Sequence, residues 1–218
     1  MSFVTEPGEV LGSPAERTAD GWVHVIGLAA GGLGAALLIA FTAARGHPLA
    51  VLPVAAYAVG LLAMLGFSAA YNMGRASRYG DVLRRLDHAA IFVMIAGTYT
   101  PFTTLALKGG WAVGMTVLVW SIATLGVALK LTLPQRRFEG LSVALYLAFG
   151  WIVLVAAGPL LRVLDGPILI LLGLGGLVYS LGVVFHVWQR LPYQNAIWHA
   201  FVLVAAAIHY AAVWAVVL

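Results

Sequence analysis

Arg162-Val163-Leu164-Asp165-Gly166-Pro167-Ile168-Leu169-Ile170-Leu171-Leu172 opens an apolar run that continues to Trp188. Upstream, residues 141–158 are just as apolar and finish at Gly158-Pro159. If the two runs were one span, Arg162 and Asp165 would lie deep in lipid, where each charge costs about 2.5–3.5 kcal/mol on insertion scales. The two charges therefore mark a loop, and the runs are two spans. A span needs about 20 mostly apolar residues to cross the hydrocarbon core. Working outward, the same criterion predicts helices over 21–44, 48–72, 86–107, 110–132, 141–158, 166–188 and 195–218. The fold class that follows is all-α: an integral membrane bundle of seven transmembrane helices. It forms a single membrane domain over 21–218 behind a polar leader, 1–20. Gly158-Pro159 is expected to end or kink the fifth helix, and Pro101 to kink the third by removing a backbone hydrogen bond.

Composition agrees. Of 218 residues, 62% are hydrophobic and 9% charged, too few charges to cover a soluble surface and far too little polarity for disorder. The absence of cysteine excludes disulfide scaffolds, thiolate metal sites and cysteine nucleophiles. The net charge of +4 arises from 12 basic against 8 acidic residues. The basic residues sit in short loops, which points to topology and not to nucleic acid. One side of the bundle holds Arg17, Arg75, Arg78, Arg84, Arg85, Lys130, Arg136, Arg137 and Arg190; the other holds Arg45, Lys108 and Arg162. By the positive-inside rule the N-terminus is cytoplasmic and the C-terminus outside. The leader carries Glu6, Glu9 and Glu16 and no basic segment before the first apolar run, so a cleaved signal peptide is not expected. Membrane lipids are the expected partners; no protein partner is indicated.

The polar residues of the spans gather at one depth. His24 lies near the start of the first helix, Ser68 and Asn72 at the end of the second, and Asp87 and His88 at the start of the third. His186 ends the sixth helix, and Asn195 and His199 open the seventh. All belong to the side predicted to face the cytoplasm. Glu16, Asp20 and His24 are four apart, as are Ser68 and Asn72, and Asn195 and His199, so each set shares one helix face. Ionisable groups in membrane bundles usually face the interior and mark function. A carboxylate beside imidazoles suits a metal-activated water or general acid–base chemistry. The same helix-end His and Asn also serve as headgroup anchors or interhelical hydrogen bonders. His209, near mid-membrane in the seventh helix, fits either role. Trp111, Trp151, Trp188 and Trp198 lie near span ends, where an interfacial aromatic belt accounts for them.

Leu86-Asp87-His88-Ala89-Ala90-Ile91, continuing to Ala96-Gly97-Thr98-Tyr99-Thr100-Pro101-Phe102, resembles the signature of the hemolysin III family, the bacterial branch of the progestin and adiponectin receptor superfamily. Ala196-Ile197-Trp198-His199-Ala200-Phe201-Val202-Leu203, with His209 beyond it, resembles that family's last helix. The resemblance implies a multi-pass protein of the bacterial inner membrane with a zinc site near the cytoplasmic face. Three histidines are the usual ligands, one ending Ser-x-x-x-His on the second helix and two in His-x-x-x-His on the seventh. An Asp on the third helix holds the metal-bound water. Here the matching positions are Asn72, Asn195 and His199, with Asp87 and Ser68 retained; the leader motif, commonly Glu, Asn, His, reads Glu16, Asp20, His24. Amide oxygen is not a usual zinc ligand. The sequence therefore predicts weak or absent zinc, or a rearranged site with His24, His88 or His186 as replacement imidazoles.

Two functions follow as expectations. One is a role in membrane lipid homeostasis or sensing around a degenerate metal site. The alternative is a zinc-dependent hydrolase of lipid amides or esters, with Asp87 as base and Ser68 positioning the site. Cytolytic activity is implied by the family label alone, because no helix carries a repeating charged stripe along its whole length.

Overall fold

The computed structural model of the chain describes residues 12–46, 48–133 and 139–218. Residues 1–11 of the polar leader, and Arg136 and Arg137 of the basic loops, lie outside the described residues. Among those described, α1 (Pro14–Ala44), α2 (Pro48–Gly74), α3 (Gly80–Pro101), α4 (Gly109–Thr132), α5 (Glu139–Gly150), α6 (Ala157–Val163), α7 (Gly166–Val187) and α8 (Gln194–Val217) account for the architecture. Seven helical segments among them are long and apolar enough to cross a membrane, with α5 and α6 making one composite span, Gly140–Val163. The chain breaks at Leu164-Asp165, where the charge argument put a loop.

The first helix starts at Pro14, well before the apolar pattern begins at 21. The cause is local. The Ser13 hydroxyl accepts from the Glu16 N–H at 3.3 Å, and the Glu16 carboxylate accepts from the Ser13 N–H at 2.5 Å. This capping box, followed by Pro14, nucleates a helix in polar sequence. As a result Asp20 is helical, and it shares one face with His24.

The fifth span departs from expectation. Gly158-Pro159 does not end it; helix continues to Val163, and the irregularity lies upstream as a 3₁₀ segment, Trp151–Ala156. Pro159 cannot donate to the carbonyl one turn before it, so the preceding turn tightens. The Tyr99 hydroxyl makes good part of the loss, donating to Gly150 O at 2.7 Å and accepting from the Val153 N–H at 2.8 Å. Pro101 acts as predicted in removing a bond from the third span. The turn after it widens into a π segment, Phe102–Ala106, closed by the Leu107 N–H on Phe102 O at 3.1 Å.

The α3 span is the most enclosed, with 61% of its apolar window buried against 17–22% for α1, α4, α7, α8 and the composite span. Glycine lets α2 approach it closely. A Cβ on Gly60 would meet Val93 O at 3.0 Å, and one on Gly97 would meet Ala56 O at 2.9 Å. Small residues at such crossings are what helix association in lipid requires, since lipid is as apolar as leucine. With α3 central, Asp87 and Tyr99 face the bundle interior from opposite halves of one helix.

Candidate functional site

Asp20 and His24 on α1 are buried, at 7% and 6% exposure. The His24 Nδ1–H donates to the Asp20 backbone carbonyl at 2.8 Å. A carbonyl only accepts, so Nδ1 carries the hydrogen and Nε2 turns to the interior, 3.3 Å from Ser68 Oγ on α2. Across the bundle, His199 Nδ1 lies 2.5 Å from Asp20 Oδ1, and the two imidazoles meet edge to face with centroids 4.5 Å apart. Asp87 on α3 is hydrogen-bonded to Ser68 and lies within the field of His199. Four helices thus bring Asp20, His24, Ser68, Asp87 and His199 into one network.

Proton accounting in this network is tight. The Ser68 hydroxyl has one hydrogen and two neighbours, the His24 Nε2 lone pair and the Asp87 carboxylate, that both accept in their ordinary states. The hydroxyl can donate to one of them at a time, and the Arg84 guanidinium also acts on the Asp87 carboxylate. One donor atom each from Asp20, His24 and His199 lies within 4.8 Å of the others, so these three residues can hold a metal ion. The positions implied by the family resemblance fit zinc poorly. The Asn72 amide donates back to Ser68 O on its own helix at 3.0 Å, and neither Asn72 nor Asn195 offers an imidazole.

Other sequence-selected residues sort themselves around this network. Asn72, Asn195, His88 and His186 line the same cavity. The His186 ring lies against Trp198 with centroids 4.9 Å apart, and its Nδ1 has no hydrogen-bond partner. Glu16 is used structurally: besides the capping box, its Oε1 accepts from the Tyr193 N–H at 2.8 Å, pinning the left-handed residue (φ 58°) that starts α8. His209 stands apart, about 15 Å along α8 from His199 at 1.5 Å rise per residue. It donates to Leu172 O at 3.2 Å and packs where Gly175 leaves space; a Cβ there would sit 2.3 Å from its ring. Two tryptophans assigned to the belt point inward instead. Trp151 donates to Ser180 at 3.0 Å and Trp198 packs on His186, whereas Trp111 and Trp188 remain exposed.

His24, Ser68, Asp87 and His199 of the network line one end of a cavity of about 760 Å³, with Asp20 behind them. From Asn72 and Arg75 the cavity runs between the helices past Leu147, Leu169 and Gly173 to Leu107 and Met115 near the opposite end. Sequence reasoning found the polar end, with Asp20 placed on the interior face by its fourfold spacing from His24 but given only a supporting part, and it missed one feature. The apolar channel had no sequence signal, because leucines lining a cavity read like leucines facing lipid.

Comparison with known proteins agrees with this architecture. The family model described as Haemolysin-III related matches residues 14–210. A hemolysin-3 homolog of Bacillus subtilis (strain 168) is 36% identical over 192 residues, covering 88% of this chain and 90% of that protein. Hemolysin-3 of Bacillus cereus is 34% identical over 194 residues, covering 88% and 87%. Human monocyte to macrophage differentiation factor is 31% identical over 166 residues, covering 72% and 67%. With seven membrane-crossing helices and these bacterial relatives, the chain is a multi-pass bacterial membrane protein and belongs to the haemolysin-III-related family.

Proposed function

We propose that this protein binds one long-chain lipid inside its helix bundle, polar group at the Asp20–His24–Ser68–Asp87–His199 network and chain in the apolar channel. This binding would serve membrane lipid homeostasis or sensing. The observation that carries the reading is the cavity itself: about 760 Å³, within the roughly 300–1,000 Å³ of small-molecule sites, apolar along its length and polar at one end. That is the shape and polarity of a single amphiphile. Gly173 lines the channel and has no atom within 4 Å of where a Cβ would sit. Gly173→Phe therefore adds a ring to the channel at a point where its first carbon meets no neighbour. Lipid extracted from purified wild-type protein and quantified by mass spectrometry should exceed a detergent-only control, and G173F should lose most of it. Equal lipid in the two proteins, or none in the wild type, refutes the reading.

A second reading, hydrolysis of a lipid amide or ester, is favoured by one feature: the Ser68 hydroxyl lies between His24 Nε2 and Asp87 inside the cavity. Turnover of such lipids that is abolished in Ser68→Ala and Asp87→Asn would establish it. For orientation we adopt the nine-to-three asymmetry of basic residues, which puts the network at the cytoplasmic face. A reporter fused after Leu218 that fluoresces only in the cytoplasm should stay dark.

A further inference from the structure

We infer that Tyr179 and His209 form a second polar station part-way along the apolar channel, and that the lipid held there carries a hydroxyl group in the outer half of its chain. This rests on the lipid-binding reading above and names the class of lipid.

Tyr179 on α7 and His209 on α8 both line the cavity, and their rings stand 5.6 Å apart, centroid to centroid. The Tyr179 hydroxyl is buried and has no hydrogen-bond partner among the described residues. Tyr99, Tyr146 and Ser180, which share the lining, all donate to backbone carbonyls. Tyr57 on α2 also keeps an unpaired buried hydroxyl, but it does not line the cavity, so of the two Tyr179 is the one a ligand can reach. A hydroxyl left dry and unpaired inside a bilayer is costly. A group that arrives with the ligand is the partner that removes this cost.

His209 supplies the complement. Its Nε2–H donates to Leu172 O at 3.2 Å, and its Cδ2–Nε2 edge lies against Gly175. In the neutral imidazole that leaves a bare lone pair on Nδ1, at the opposite edge. The Tyr179 hydroxyl can donate, whereas this nitrogen can only accept. One ligand hydroxyl satisfies both, accepting from Tyr179 and donating to His209. A carbonyl or ether oxygen would serve Tyr179 alone, and a plain methylene chain neither.

Position along the chain follows from the helices. Tyr179 lies seven residues before His186, about 10 Å along α7, and His209 lies about 15 Å along α8 from His199. The chains of one leaflet cross about half of the roughly 30 Å hydrocarbon core. The station therefore meets the outer half of a chain whose polar group sits at the Asp20 network. A buried water held by the same two groups is the competing explanation. It would satisfy them whatever chain lay alongside, so the chemistry of the chain separates the two.

The test offers delipidated full-length protein in detergent an equimolar mixture of stearate, 2-hydroxystearate and 12-hydroxystearate, three probes with one chain length and one carboxylate head. Retained lipid is quantified by mass spectrometry after washing. The wild type should retain 12-hydroxystearate over stearate by about tenfold, the worth of a net hydrogen bond. Tyr179→Phe should abolish that preference and leave the ratio of 2-hydroxystearate to stearate unchanged, because a hydroxyl beside the head lies at the network. Having lost only an unpaired hydroxyl, this variant should melt no lower than the lipid-free wild type. Tyr210→Phe is the control: its hydroxyl donates to Gly34 O at 3.0 Å and does not line the cavity, so the preference should persist. The inference is overturned, with lipid binding intact, if the wild type retains stearate and 12-hydroxystearate equally. It is overturned likewise if the preference survives in Y179F or is lost in Y210F, or if Y179F melts lower, which would make the hydroxyl structural. A wild type that retains none of the three probes overturns the lipid-binding reading, and the inference falls with it.

Discussion

Two groups of polar residues lie within the bundle, and they do different things. The α3–α4 series comprises Thr98, Thr100, Thr103, Thr104, Thr116 and Trp120, with Thr124 further along α4. Most of its hydroxyls donate to a carbonyl one turn back on their own helix: Thr98 to Met94 O, Thr100 to Ala96 O, Thr104 to Thr100 O and Thr124 to Trp120 O, all at 2.7–2.8 Å. Crossings to a neighbouring helix, Trp120 to Thr100 and Thr116 to Thr103, use spare hydroxyl lone pairs. The network of Asp20, His24, Ser68, Asp87 and His199 is built the opposite way. Apart from His24 Nδ1 to Asp20 O, its bonds run from side chain to side chain across helices and join ionisable groups. Polarity inside a membrane is therefore weak evidence of function by itself. Lone pairs shared between helices beside ionisable groups are stronger evidence, and of these two groups the Asp20 network has them.

This contrast predicts an order of effects. The largest belongs to Asp20. Replacing it with alanine removes the carboxylate that bridges α1 and α8 and leaves His199 Nδ1 without its 2.5 Å partner. A hydrogen bond to a charged group contributes about 1.5–3 kcal/mol, and Asp20→Ala should destabilise by that amount in thermal or denaturant unfolding in detergent. A change as small as that of a surface residue would mean that the pair contributes nothing to packing, and the contrast with the threonine series would fail.

How far the site could be read from sequence depended on which kind of signal each residue left. Charges at Arg162 and Asp165 separated two spans because burying them is expensive, and the structure breaks the helix there. Position at the helix ends on one side of the bundle put Ser68, Asp87 and His199 at a common depth, and the structure brings Asp87 beside both Ser68 and His199. Asp20 was undervalued because the apolar pattern starts the first helix too late; the capping box at Ser13 and Glu16, a local hydrogen-bond signal, starts it earlier. The tryptophans at 151 and 198 were misread because position near a span end does not say which way a ring points. The 3₁₀ stretch before Pro159 was displaced from the expected kink because the missing N–H is felt one turn upstream.

A smaller effect is expected at Thr100. Its hydroxyl accepts from the Trp120 indole N–H at 3.1 Å while donating to Ala96 O. Thr100→Val keeps the shape, loses both bonds and leaves an indole N–H unpaired in a buried setting. Interhelical hydrogen bonds in membrane proteins average about 0.6 kcal/mol, so unfolding should shift by roughly that amount, clearly less than for Asp20→Ala. Lipid content should stay at the wild-type level. Its loss would make the α3–α4 series part of the site.

The smallest effect belongs to Thr124, and it tests the contrast most directly. This residue is exposed on α4, and its hydroxyl returns to Trp120 O at 2.8 Å. In lipid the hydroxyl has no water to bond, so its own helix satisfies it. That carbonyl is also the ordinary acceptor of the Thr124 backbone N–H one turn later, so it stays paired when the hydroxyl is removed. Thr124→Val therefore deletes a donor and leaves no acceptor orphaned, while presenting a methyl group to the hydrocarbon. The expected change in unfolding free energy is within about 0.5 kcal/mol of zero. Comparing D20A, T100V and T124V under one denaturation protocol reads the whole series. A destabilisation by T124V equal to that of T100V would show that hydroxyls bonded within one helix matter as much as those that cross between helices. The distinction between the two regions would then rest on charge alone.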